Sequence, residues 1–145
     1  MKKVIIIFVS ILVVALLSII LVTYLGNSNN NYDTDKAKNI LFINYGVEKV
    51  NDISVYFGEN TYYISKIEKE NQNYISVLDN EYNLVLMIES EKLKKSSDIA
   101  DNNITLGYKY DKLVYEVKEE NKDGYNYIYY NAVDGELIKK IKMNR

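Results

Sequence analysis

Cysteine, histidine, proline and tryptophan are all absent from the 145 residues. Without Cys or His there is no disulfide, no Cys/His zinc site, no Ser-His-Asp triad, no thiol nucleophile and no lipid-modified cysteine. Glycine is sparse: the six residues are scattered, and none forms a GxxxxGK or GxGxxG run that would cradle a phosphate. An excess of positive charge is missing too, since 18 Lys+Arg stand against 20 Asp+Glu for a net charge of -2. Nucleic acid is therefore not an expected partner, because binding it needs a basic footprint. What is present is a globular composition, with 48% hydrophobic and 26% charged residues, and 15 tyrosines. The length suits one ordinary domain or two small ones.

Met1-Lys2-Lys3 precedes 22 uncharged residues, Val4 to Leu25, nearly all of them aliphatic. As a helix that run rises about 33 Å, enough to cross a hydrocarbon core of about 30 Å. A cleaved signal peptide is the rival, but its apolar region is shorter and ends in a small-x-small site. Thr23-Tyr24-Leu25-Gly26 offers no such exit. Residues 4–25 are thus expected to be a single-pass membrane anchor, with Lys2 and Lys3 keeping the amino terminus cytoplasmic. Beyond them, 16 basic and 20 acidic residues leave the extracytoplasmic part at −4. Residues 26–32 form a polar linker. The stretch Gly26 to Asn31 reaches about 20 Å when fully extended, so the partner sits close to the membrane.

The next periodicity is helical. Asp33 to Tyr45 carries Ala37, Ile40, Leu41, Ile43 and Val47 at helical spacing, Asp33 or Asp35 for a cap, and Gly46 for the stop. Then the period becomes two. Ile53–Phe57, Tyr62–Ile67, Tyr74–Leu78 and Leu84–Ile88 read as strands, and Ile104–Tyr110, Leu113–Lys118, Tyr125–Asn131 and Leu137–Ile141 read as four more. Asp111-Lys112, Asp123-Gly124 and Asp134-Gly135 supply turns between the second four. Ile64 to Asn71 lies over Val114 to Asn121 at an offset of 50, and Leu84-Val85 over Leu137-Ile138 at 53. The pattern predicts an α+β fold of two duplicated antiparallel-sheet units, residues 33–90 and a mainly β second unit at 91–145. Units this small pack together, because either alone buries too little surface. Glu89 to Asn102 offers just Leu93 and Ile99 as large apolar residues, so the second unit's helix is expected to be reduced to two turns at most.

Little chemistry is left for catalysis. Carboxylate pairs such as Asp98 with Asp101, or Asp79 with Glu81, lie in polar, turn-like stretches where a raised pKa is not expected. Glu119-x-Asn121-x-Asp123-Gly124 imitates the start of a calcium loop, but the twelfth position is Tyr130 rather than a bidentate acid. No enzyme activity, cofactor or metal is expected. The candidate site is Tyr125, Tyr127 and Tyr129, which fall on one face of a strand, with Ile128, Tyr130 and Ala132 on the other. Core packing under the first unit, a partner-docking ridge and glycan stacking all remain open for these rings. If the ridge is a docking surface, a Tyr127→Ala, Tyr129→Ala double variant is expected to stay folded and lose its partner.

The chain also resembles the cell wall elongation regulator TseB-like family of Gram-positive bacteria. The likeness rests on the anchor and helix, Val55-Tyr56-Phe57-Gly58, Tyr62-Tyr63-Ile64, Leu113-Val114-Tyr115-Glu116-Val117, Gly124-Tyr125, Tyr129-Tyr130 and Asp134-Gly135-Glu136-Leu137-Ile138. Tyr115 stands where that family usually has Trp. The resemblance implies a single-pass anchor followed by two PepSY-like, or cystatin-like, units. It also implies a non-catalytic role: binding a penicillin-binding transpeptidase and regulating cell wall elongation. The alternative is an inhibitor module that occupies a protease or hydrolase cleft with the mobile loop Glu89–Asn103.

Overall fold

In a computed structural model, residues 33–99 and 103–144 are described. The anchor and linker expected at residues 1–32 lie outside them. Among the described residues no helix is long and apolar enough to cross a membrane.

One helix opens the described chain, α1 (Thr34–Tyr45). Gly46 ends it at φ +64°, and the Val47 N–H donates back to the Leu41 carbonyl at 3.3 Å, closing the helix end across a left-handed residue. Eight strands follow: β1 (Lys49–Phe57), β2 (Thr61–Lys69), β3 (Gln72–Leu78), β4 (Leu84–Glu89), β5 (Ile104–Lys109), β6 (Lys112–Asn121), β7 (Gly124–Asn131) and β8 (Leu137–Asn144). They form two four-stranded antiparallel meanders, β1-β2-β3-β4 and β5-β6-β7-β8. Both sheets belong to one compact unit that begins at Thr34. Leu84 and Leu137, matched in the sequence, each open a fourth strand.

The expected α+β class is overturned: the protein is mostly β. Between the sheets the chain makes two single 3-10 turns, Ser90–Lys92 and Ser96–Asp98, and among the described residues no second α-helix. Leu93 and Ile99 are too few to form a helical stripe, so they plug the space between the sheets instead.

The turns set the registers. Glu70-Asn71 and Tyr110-Asp111 occupy left-handed backbone at φ 53–59°, the geometry of two-residue hairpins that follow sheet twist. The second turn is therefore one residue earlier than the Asp111-Lys112 expected. Gly124 has φ +146°, and a Cβ there would lie 1.9 Å from the Met143 carbonyl oxygen, so only glycine fits beside β8.

Two cores result. On one face of the first sheet α1 buries Ala37 and Leu41 against Tyr63, Ile67 and Leu78. Burial of Leu41 alone contributes about 2 kcal/mol. Ile43, expected in the stripe, is 81% exposed. Four consecutive apolar residues, Ile40 to Ile43, span more than one helix face, so spacing alone does not choose the buried side. The opposite face of the first sheet carries Ile64, Ile75 and Val77, which pack with Tyr108, Leu113, Tyr115 and Ala132 of the second half.

Candidate functional site

Register decides what surrounds the three candidate tyrosines. In β6 and β7, Glu116 lies opposite Tyr129, Lys118 opposite Tyr127 and Glu120 opposite Tyr125. In β8, Lys139, Ile141 and Met143 lie opposite Tyr129, Tyr127 and Tyr125. Side chains at directly paired positions share a face, so this face of the second sheet is a lattice of tyrosines, lysines and glutamates. It is the face away from Leu113, Tyr115 and Tyr130. No helix among the described residues lies over it, because α1 packs on the first sheet.

The three tyrosines differ in burial. Tyr129 is 4% exposed. Tyr110 meets its ring edge-on at 6.0 Å, the Lys109 ammonium lies 4.6 Å above it, and Lys109 Nζ donates to its hydroxyl at 3.4 Å. Tyr125 and Tyr127 are half-buried, with the Lys118 ammonium 4.2 Å and 5.8 Å from their ring centres. A cation over an aromatic face is attracted by the ring quadrupole. All three candidates thus share one face, but Tyr129 serves the interior. The Tyr127→Ala, Tyr129→Ala variant would strip a core residue as well as a surface one, and Tyr125 with Tyr127 is the informative pair.

Tyr56 reaches this face from the first sheet. Its ring covers Gly107 on β5, where any Cβ would come within 2.5 Å of it, and its hydroxyl donates to Glu116 Oε2 at 2.8 Å. Burial, reinforced by the Glu116 carboxylate, holds the phenols of Tyr56 and Tyr129 well above the ordinary tyrosine range. Both are neutral donors at any physiological pH. Sequence reasoning missed Tyr56, Glu116, Lys109 and Lys118 because they lie on other strands, and the register linking them is set by turns that one strand does not reveal.

Of the carboxylates considered for catalysis, Asp101 lies outside the described residues and Asp79 closes a turn, as Asn121 does at the start of the calcium-like stretch. Asp79 Oδ1 accepts the N–H groups of Glu81 and Asn83, both at 2.9 Å, and Asn121 Oδ1 accepts the Asp123 N–H at 3.0 Å. Such side-chain-to-backbone bonds close turns. Among the described residues no group of three or more acidic side chains could hold a metal ion. A cleft of about 540 Å³ lies elsewhere, lined by Asp52, Lys66, Lys94, Lys95, Thr105 and Tyr115. Its one close charge pair, Lys66 with Asp52 at 3.7 Å, is solvent-exposed and brings no acid–base couple together.

Comparison with known proteins bears on the fold. No family model matches the chain, and no curated protein matches it. Among solved structures, YpmB from Bacillus subtilis superposes with a TM-score of 0.69 at 16% identity, over 79% of this chain and 100% of that one. A chain from Clostridium difficile 630, CD1622, is 16% identical over 76% of this chain and 92% of its own, with a TM-score of 0.34. The first likeness shows that this chain and YpmB share a fold, in keeping with a TseB/YpmB-like domain.

Proposed function

We propose that the protein is a non-catalytic, membrane-anchored adaptor whose outer domain regulates cell wall elongation by binding a penicillin-binding transpeptidase next to the membrane. The observation that carries the reading is the face bearing Tyr125 and Tyr127. It holds half-buried aromatic rings, with Lys118 over both of them and no helix above them among the described residues. Large, semi-polar rings of this kind are enriched where proteins meet. The apolar run Val4 to Leu25 supports the anchor, and the sequence resemblance to the TseB-like family supplies the class of partner.

One observation favours this over an inhibitor that inserts the Glu89–Asn103 loop. The first part of that loop is fastened: Lys94 N–H donates to the Ala132 carbonyl at 2.9 Å, Tyr115 OH donates to the Lys94 carbonyl at 2.8 Å, and Leu93 and Ile99 pack into the inter-sheet core. A reactive loop needs freedom that these contacts remove.

Crosslinking from intact membranes tests the reading. The full chain is expected to capture a transpeptidase, and a Tyr125→Ala, Tyr127→Ala variant that stays folded is expected to lose it. Undiminished capture by that variant rejects the tyrosine face. Loss of capture on deleting residues 95–103, with the face intact, would favour the inhibitor.

A further inference from the structure

We infer that the free edge of β8 receives an extended, acidic segment of a partner protein, which joins the second sheet as a fifth strand. The inference rests on the adaptor role proposed above and supplies its mode of contact.

The two sheets have four edges, and three of them are blunted. β1 is broken by a register shift between Val50 and Asp52, a bulge that twists an edge away from further pairing. β4 is six residues long, with a register shift where it meets Leu78. β5 is approached by the first sheet, where Tyr56 lies on Gly107 and Gly58 comes close to the Tyr108 carbonyl. β8 too has a register shift, between Leu137 and Lys139, but beyond it the pairing with β7 runs unbroken from Lys139 to Asn144, and among the described residues no strand lies on its other side. Leu137 and Met143 are 60% and 55% exposed. Every second residue of such a strand points its N–H and C=O outward, which is the template that strand addition uses.

The side chains select the occupant. On the tyrosine face β8 presents Ile141 and Met143 beside Tyr127 and Tyr125, with Lys139 at the end of the row beside Tyr129. On the opposite face it presents Lys140 and Lys142, both exposed. Lys140 has one loose contact, with Glu119 at 3.9 Å, and more than half its side chain is in water. An incoming strand that alternates apolar and acidic residues would set the apolar ones against Ile141 and Met143, and the acidic ones against the two lysines. A second copy of this chain fits poorly, because antiparallel β8 strands would bring lysines opposite lysines.

The test uses the full chain in detergent micelles, with hydrogen exchange read across residues 137–144. The probe is a blocked octapeptide alternating Glu and Val; a Lys/Val octapeptide is the control. Saturating Glu/Val peptide is expected to slow β8 exchange about tenfold, since added ladder bonds protect outward amides. The Lys/Val peptide should leave exchange unchanged, and Lys139→Glu, Lys140→Glu, Lys142→Glu together should reverse the preference. No slowing with the acidic peptide, or equal slowing with both, overturns the inference. Protection that grows with protein concentration alone overturns it in favour of self-pairing. Membrane crosslinking separates the two proposals. Capture of no protein overturns the adaptor role and this inference with it, whereas undiminished capture by the folded triple variant overturns strand addition alone.

Discussion

The Tyr56 hydroxyl donates to Glu116 Oε2 across 2.8 Å, and the same ring occupies the space that a side chain on residue 107 would need. One tyrosine therefore links the two sheets twice, by a charge-assisted hydrogen bond and by contact with bare backbone. Gly107 is required here for close approach, since its φ is not in the left-handed region.

Gly107→Ala is therefore expected to destabilise the fold by about 2 kcal/mol through overpacking. In a Tyr56→Leu background the ring is gone, and the same change should cost much less. A double-mutant cycle from urea midpoints gives the coupling directly. Equal costs in both backgrounds would show that the ring is not what residue 107 meets.

Alkaline pH should weaken the fold through the same group of phenols. Burial, with help from Glu116, raises the pKa of Tyr56 and Tyr129, and burial also raises Tyr108 and Tyr115. In the unfolded chain these phenols titrate near their ordinary value of about 10. Below that pH both states hold the proton and the contribution is intact. Above it the unfolded chain releases protons that the folded chain keeps, so stability falls as pH rises toward the folded values. Urea midpoints are expected to hold from neutrality to about pH 9 and then decline. A Tyr56→Phe, Tyr129→Phe variant should decline less steeply. An identical slope would assign the loss to other groups.

The arrangement of strands was legible in the sequence because alternation survives along each of them. Leu84 and Leu137 each begin a fourth strand, and the Tyr125–Asn131 periodicity does put three rings on one face. Two things were not legible. Which side of α1 is buried depends on the sheet beneath it, and Ile40 to Ile43 offers apolar groups on several sides. The neighbours of Tyr129 depend on register, and moving a two-residue turn by one position, as at Tyr110-Asp111, changes every partner along the hairpin. The mostly β class follows from a short polar connector, whose two apolar residues, Leu93 and Ile99, fill the gap between the sheets instead of forming a helical stripe.

Ser65 and Ser76 face each other across β2 and β3 and are essentially fully buried, between Tyr63, Ile67 and Leu78 of the core under α1. Neither hydroxyl has a hydrogen-bond partner among the described residues. Burying a hydroxyl without one costs free energy, while alanine fills nearly the same volume. Ser65→Ala and Ser76→Ala are each expected to be neutral or to stabilise by about 0.5–1 kcal/mol. Thermal melts of the two single variants and the pair check this. A loss above about 1 kcal/mol in either would mean that its hydroxyl has a partner, direct or through water.

Tyr127 and Tyr129 are neighbours on one face, yet their removal should have unlike consequences. Tyr129 is 4% exposed and touches Tyr110 and Lys109, so Tyr129→Ala opens a cavity and removes the nearer of the two rings beneath the Lys109 ammonium. A loss of about 3–5 kcal/mol is expected, of the size seen when a buried aromatic is truncated. Tyr127 is half-buried, and its nearest cation stays over the Tyr125 ring at 4.2 Å, so Tyr127→Ala should cost about 1 kcal/mol or less. Urea denaturation of the two single variants measures the contrast. Equal losses would mean that Tyr127 also belongs to the interior. The partner-docking face would then shrink to Tyr125 and the apolar strip of β8.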